Sequence, residues 1–594
     1  MDRKFYDNEQ EIDRLQEKAL AKKSQKLILF RMISFFGILF SAAAGYDGWH
    51  PLFYGLAVVF VLAFAWLIHV HDRTKREELF VKSRLSVLGS YLARIHGTWR
   101  TRSFDGNRYL AWNRPQDVDL HVFGPGSLYQ YVCSARTKLG RDRLAKAFSP
   151  EPPDFAAIRI RQRGIAELME RPRLSLDLEA LGRLLPNDHD TSGLIEVLEQ
   201  EPPSPSYIYR LRWGIPFLFV LALAMAFAGM TSWLLVGLIP VISCILTGIA
   251  THKTSDFLAP LQNISRELYL YDEIFRRVEA TEFTGSTLRW LRSSLQTEVS
   301  AARALHRLSF LTEVIGLRRN MFCYVLGNAF LMLDFHCVVM FLAWRGSASR
   351  HIRRWMKAHA ELEVLLSLAS IGRTRETVCF PLLLEGSVPQ LRAKSLTSLL
   401  IHEPQAVPND AELSSGTYII TGSNMSGKTT WIRSLAGAVM LAYAGAPVCA
   451  ESFAVSGLSL FTSIRVNDDI SQGLSTFYAE LLRIKSMVEY SEKRLPMFIV
   501  IDEIFKGTNS ADRILGAQEA IRRLTNGWSI TLVTTHDFEL CDLSSPNDIP
   551  ITNCHFEESY EEDKIRFDFK LKPGRCHTTN AKYLLKMAGI LKDE

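Results

Sequence analysis

The chain has 594 residues, 69 basic and 63 acidic side chains, a formal net charge of +6 and nine cysteines. This length accommodates several domains, and so mild a positive charge permits contact with nucleic acid or anionic lipid without demanding either. The cysteines form no Cys-x-x-Cys pair and no cluster with histidines, which excludes a disulfide framework, argues against zinc and fits reduced cytosolic thiols.

The first segment, Asp2 to Lys26, is polar and helical in pattern and ends in the basic group Lys18, Lys22, Lys23 and Lys26. It is not a cleavable signal peptide, and its basic end suits lipid headgroups. Leu27 to Tyr46 follows, apolar apart from Arg31, then a turn at Asp47–Pro51, then Leu52 to Val70 without Lys, Arg, Asp or Glu. Each run is about 19–20 residues, roughly 28–30 Å as helix, enough to cross a hydrocarbon core. Basic residues flank both ends and are missing from the turn, so both flanks are expected in the cytoplasm.

Thr74 to Pro203 is soluble in character. Its basic residues, among them Arg141, Arg143, Arg159, Arg161 and Arg163, read as a solvated helix face. Trp213 to Met230 and Trp233 to Ala250 form a second apolar pair, again with basic residues only outside it; four spans are the expected topology. Residues 251–320 read as long helices. Met321 to Trp344 is apolar but holds Asn328, Asp334 and His336, which a lipid-facing span would bury at a cost. It therefore reads as a soluble buried helix, a fifth membrane span being the alternative, with structural rather than metal-binding roles for Asp334 and His336. Trp355 to Ser370 continues as helix.

The C-terminal third carries the chemistry. Gly422-Ser423-Asn424-Met425-Ser426-Gly427-Lys428-Thr429 has the spacing G-x-x-x-x-G-K-[ST] between an apolar strand, Thr417–Ile420, and a helix opening at Thr430. In a phosphate-binding loop the glycines let backbone N–H groups surround phosphate oxygens, the lysine reaches the β- and γ-phosphates, and the hydroxyl ligates Mg²⁺. The ligand so implied is ATP with Mg²⁺, bound by Gly422, Ser423, Asn424, Met425, Ser426, Gly427, Lys428, Thr429 and Thr430. A second apolar strand, Met497–Ile501, ends in Asp502-Glu503: one acid to hold Mg²⁺ with Thr429, the next to orient or deprotonate water. A third, Ile530–Thr535, ends in His536, expected to contact the γ-phosphate or water.

Thr421–Thr430 resembles the nucleotide loop of the MutS mismatch-repair ATPases, Asp502–Thr508 their acidic strand, and Thr535–Leu540 their histidine switch. Asp468-Asp469-Ile470-Ser471-Gln472-Gly473-Leu474-Ser475-Thr476-Phe477-Tyr478-Ala479-Glu480 is similar to their signature loop. The resemblance runs from about Pro404 to Ile590 and includes Pro573-Gly574-Arg575. Asp117–Leu120 and Thr137–Leu168 also resemble the family's helical core or lever.

The implied fold is mixed: α-helical lever and transmembrane hairpins, then an α/β P-loop ATPase domain of MutS type. The expected segments are 1–26, a basic helix; 27–70, hairpin 1; 71–205, core or lever; 206–250, hairpin 2; 251–390, further lever; and 391–594, the ATPase. The resemblance implies a homodimer in which Ser475 and Thr476 complete the partner's site in trans. Glu503, His536 and Lys428 would be catalytic, and Asn424 would join His536 in sensing the γ-phosphate.

The family's mismatch reader has no counterpart. The one Phe-x-Glu, Phe556-Glu557-Glu558, lies beyond the ATPase motifs, and Ala406 stands where the family often has an aromatic for adenine. The expected protein is an inner-membrane, multi-pass ATPase with a cytoplasmic motor that binds duplex DNA; the alternative is an ATP-driven membrane-remodelling or scaffold switch without DNA.

Overall fold

The computed structural model describes residues 3–102, 104–111, 113–199, 207–423, 425–465, 476–505, 510–544, 548–561 and 564–576. Two antiparallel helices of 44 residues, Arg3–Tyr46 and Leu52–Ile95, open the chain; each is about 66 Å long. The polar first segment and the apolar run after it are thus one helix, because nothing between Lys26 and Leu27 breaks the backbone. The polar end is fastened to the body. Arg84 forks between Glu9, Asp13 (2.6 Å) and Asp177 (3.1 Å), while Tyr6 stacks on Tyr91 at 5.2 Å. The apolar end projects with Phe36, Leu62 and Trp66 exposed. There the helices hold each other through close approach: a Cβ on Gly37 would stand 2.8 Å from the Phe60 ring. By length and composition both helices can cross a membrane.

A second apolar group consists of the helices Tyr207–Phe227, Trp233–Asn263 and Met321–Leu331. The expected single buried helix over 321–344 is instead two helices bent by 81° at Met332, which adopts φ +48°. The first leaves Phe322 and Leu326 exposed; the second, Leu333–Ala348, enters the core through Phe335, Val338 and Phe341. Polar groups mark the break. Asn328 Oδ1 accepts from the Asp334 N–H (3.0 Å), Asp334 pairs with Arg318 (3.4 Å), and His336 Nε2 faces the Arg212 carbonyl (3.2 Å). Of the long helices expected over 251–320, the stretch to Asn263 continues the helix that begins at Trp233, and the rest is shorter pieces, Ser265–Ala280, Ser286–Leu295 and Ala301–Gly316.

The helix Ile352–Thr374 is the axis of the body and is buried over most of its length. Its Glu363 accepts from the Arg136 N–H (2.7 Å) and the Thr137 N–H (3.1 Å), and its Arg373 donates to Tyr91 and to the Leu168 carbonyl. The basic residues expected on a solvated face divide: Arg159 and Arg163 are exposed, Arg143 and Arg161 are half-buried, and Arg141 is buried. Arg141 is buried over the Phe104 ring, Arg159 donates to the Leu383 carbonyl and Arg161 to that of Ala444. Arg159 and Arg161 thus tie the helical body to carbonyls of the C-terminal part, while Arg141 serves the carbonyl of Ala135 within the body.

The C-terminal part is α/β. A mixed four-stranded sheet is ordered Leu382–Leu384, Ser452–Ser456, Gln390–Leu396, Asn409–Ser414. A six-stranded sheet runs Lys572–Pro573, Ile551–His555, Gly416–Thr421, Ser529–Thr534, Met497–Asp502, Ser459–Ser463, parallel except for its first strand. The central strands are buried on both faces, which is why their sequences are continuous apolar runs.

The short helix Pro115–Asp119 wedges against the edge strand Ser459–Ser463, with Gln116 Nε2 donating to the Leu460 carbonyl at 2.7 Å. Asp117 is fully buried there; burial pushes its carboxyl up to about 6, with Arg114 at 3.0 Å only partly opposing. A carboxyl raised by folding favours the protonated folded state, so the stability it contributes at low pH is lost as pH rises through about 6. Asp117→Asn is expected to stabilise the protein more at pH 8 than at pH 5, by about 1 kcal/mol, in thermal melts at the two pH values.

Candidate functional site

Three adjacent parallel strands end at one edge of the six-stranded sheet. Gly416–Thr421 runs into the Gly422–Thr429 loop, Ser529–Thr534 leads to His536, and Met497–Asp502 ends beside Glu503. Their register pairs Ile420 with Thr534 and Asp502 with Thr534, so the three motifs meet at one level. The loop passes into the helix Lys428–Tyr443. Gly422 has φ +141°, and a Cβ there would lie 2.5 Å from the Phe556 carbonyl oxygen; Gly427 has φ +103°. Both positions require glycine.

Lys428 is buried, and its ammonium donates to the carbonyls of Gly422 (2.6 Å) and Ser423 (2.8 Å). Burial lowers its pKa against the opposing pull of the Glu503 and Asp502 carboxylates. Thr429 Oγ1 donates to Asp502, 2.8 and 3.0 Å from its two oxygens, and Thr534 Oγ1 donates to Asp502 Oδ1 at 2.6 Å. Glu503 adopts φ +55°, with its N–H on the Thr534 carbonyl (3.1 Å) and hydroxyl (3.0 Å). Its carboxylate is 3.2 Å from His536 Nε2. The next residue, Asp537, is gripped by Arg513 at 2.6 and 3.0 Å.

The residues expected from the sequence to form the site, Gly422, Ser423, Met425, Ser426, Gly427, Lys428, Thr429, Thr430, Asp502, Glu503 and His536, therefore lie at one end of these strands. Asn424 and Ser475 lie outside the described residues, as does the final pattern Asn580–Ile590; Thr476 opens the helix Thr476–Ser491. Phe556 is not an exposed wedge. It is buried behind the loop, its N–H donating to the Thr421 carbonyl at 3.0 Å, and Glu558 accepts from Ser423 Oγ at 3.0 Å.

Sequence reasoning passed over Thr534, although it directly precedes Thr535-His536. It also passed over Phe569. Beside Ala406 a cleft of about 240 Å³ is walled by Val407, Met425, Trp431, Phe556 and Phe569. Phe569 is pinned by Asn409, which donates to its carbonyl at 2.8 Å and accepts from the Leu571 N–H at 2.8 Å. No local motif announces Phe569, because only the fold brings it over Gly427.

Chemically, the edge joins a loop of backbone donors and a buried lysine to a hard-oxygen corner, Thr429 with Asp502. That donor set fits Mg²⁺, which takes one or two protein oxygens and keeps the rest for water and phosphate. Among the described residues no group of three or more His, Cys, Asp and Glu side chains is placed to hold a metal.

A family model described as MutS domain V matches residues 418–592. The DNA mismatch repair protein MutS of Natronomonas pharaonis is 30% identical over 253 residues, 41% of this chain and 28% of its own length. MutS of Thermus thermophilus is 29% identical over 259 residues, 43% of this chain and 30–31% of its own length in two strains. The chain thus covers less than a third of these relatives. Gly422→Ala, which places a methyl 2.5 Å from the Phe556 carbonyl oxygen at φ +141°, is expected to destabilise the protein by about 1–3 kcal/mol, read as a lowered midpoint in thermal melts.

Proposed function

From the premise that the C-terminal part of this chain is of the MutS family, with domain V at residues 418–592, we propose that the protein binds and hydrolyses ATP at a homodimer interface and couples this to DNA from a membrane anchor. One observation carries the reading: Lys428, Thr429, Asp502, Glu503 and His536 converge on one sheet edge, with Asp502 held by hydroxyls from two strands. In this P-loop reading the Gly422–Thr429 backbone, Lys428 and Thr430 bind the phosphates. Thr429 and Asp502 hold Mg²⁺, which when bound neutralises phosphate charge. Glu503 orients and deprotonates the attacking water, and His536, 3.2 Å from it, fixes that carboxylate. Asn424 senses the γ-phosphate, and Ser475 with Thr476 complete the partner's site. The cleft beside Ala406 takes the base, with Phe569 supplying the aromatic surface that position 406 lacks.

The two apolar helix pairs are read as membrane hairpins, giving four spans with the motor in the cytoplasm; the bent helix at 321–331 rests on the second pair. Support comes from contiguous exposed apolar faces, which monomers in water rarely present. The segments 1–26, 27–70, 71–205, 206–250, 251–390 and 391–594 are the proposed division of labour. DNA binding rests on the MutS relatives. The exposed hairpins favour a second reading, in which the motor drives membrane remodelling or a scaffold switch without DNA.

Glu503→Gln is expected to retain ATP and to lower turnover about 100-fold; unchanged hydrolysis would refute the role given to Glu503. In nanodiscs, DNA that stimulates the wild-type rate in a salt-dependent way supports the DNA reading. Stimulation by lipid composition alone selects the second.

A further inference from the structure

Asp119, at the end of the helix Pro115–Asp119, is fully buried and belongs to the helical body rather than to the α/β part. Its carboxylate nevertheless reaches across. It accepts from Thr462 Oγ1 (2.7 Å), from the N–H groups of Ile464 (3.1 Å) and Arg465 (2.8 Å), and pairs with Arg483 at 3.3 Å. The first three lie at the end of the sheet's edge strand, and Arg483 lies on the helix Thr476–Ser491. One turn earlier on that helix is Glu480, also buried, whose carboxylate accepts from the Phe505 N–H at 2.7 Å. Phe505 (φ +59°) closes the turn that begins with Glu503 (φ +55°). Both are non-glycine residues in the left-handed region, a conformation that persists only where the surroundings enforce it.

Two polar contacts joined by one helical turn therefore link the helical body to the turn that aims Glu503: Asp119 pairs with Arg483, and Glu480, one turn earlier on the same helix, accepts from Phe505. Asp119 is held by short bonds from Thr462 and Arg465 and by the longer ion pair to the partly exposed Arg483, and helix positions i and i+3 share a face, so a shift of Asp119 is passed through the helix to Glu480. We propose that Asp119 is a positioning residue for Glu503, through which the part of the chain bearing the apolar hairpins sets the rate of ATP turnover. This rests on the hydrolysis reading above.

The test measures kcat, KM and nucleotide Kd for the full-length protein in nanodiscs. It compares wild type, Asp119→Asn, Glu480→Gln, the double variant, and Asp119→Asn in the Glu503→Gln background. Each single variant is expected to lower kcat about tenfold with Kd within about twofold of wild type. The double variant should fall no further than the worse single, because both cut one path. In the Glu503→Gln background Asp119→Asn should change the residual rate less than about twofold. Arg483→Gln cuts the same path from the other side and serves if Asp119→Asn does not fold. An unchanged kcat, additive losses, or a parallel loss of nucleotide affinity overturns the proposal. A wild type that binds ATP without hydrolysing it overturns the hydrolysis reading instead.

Discussion

The carboxylate of Asp502 is the constraint on which the C-terminal architecture turns. It is buried, and an isolated buried charge is costly unless hydrogen-bonded. Two hydroxyls meet that need, from Thr429 at the start of the loop helix and from Thr534 on the neighbouring strand. Both require the register in which Gly416–Thr421, Ser529–Thr534 and Met497–Asp502 lie side by side. A one-residue slip in any of these strands would turn its side chains to the opposite face and leave Asp502 unpaired. The same register brings Lys428 within the electrostatic influence of the Glu503 and Asp502 carboxylates.

Around that edge the helical body does more than carry the hairpins. Arg375 donates to the carbonyls of Leu399 and Ile401, Arg161 to that of Ala444, and Asp119 receives the end of the sheet's edge strand. Each contact satisfies a polar group at an element end, where backbone donors and acceptors are otherwise unpaired. The two parts of the chain therefore share directional bonds as well as apolar surface.

The apolar hairpins follow a different rule. Their projecting halves bury little of their side-chain surface within the chain, and they hold together through small residues such as Gly37 against Phe60 and through the Ser34 hydroxyl on the Phe60 carbonyl. Their lower halves are fixed by the Arg84 fork on Glu9, Asp13 and Asp177. Each long helix thus has a polar half packed on the body and an apolar half that is long and apolar enough to cross a membrane.

The sequence by itself determined the loop, the acidic strand end, the histidine strand end and the apolar runs, because each is local: glycine spacing, continuous apolar strands and uncharged helical lengths need no distant partner to be recognised. Only the tertiary structure decided that Arg141 is an interior donor and that the half-buried Arg161 donates to the Ala444 carbonyl. It alone broke 321–344 at Met332, where Asn328 and Asp334 find partners that a straight helix would deny them. It also set Phe569 beside Ala406 and Asp119 beneath Arg465, pairs separated by 163 and 346 residues. The physical reason is common to all of these. A buried polar or aromatic group is defined by what folding places against it, and that partner lies far away in the chain.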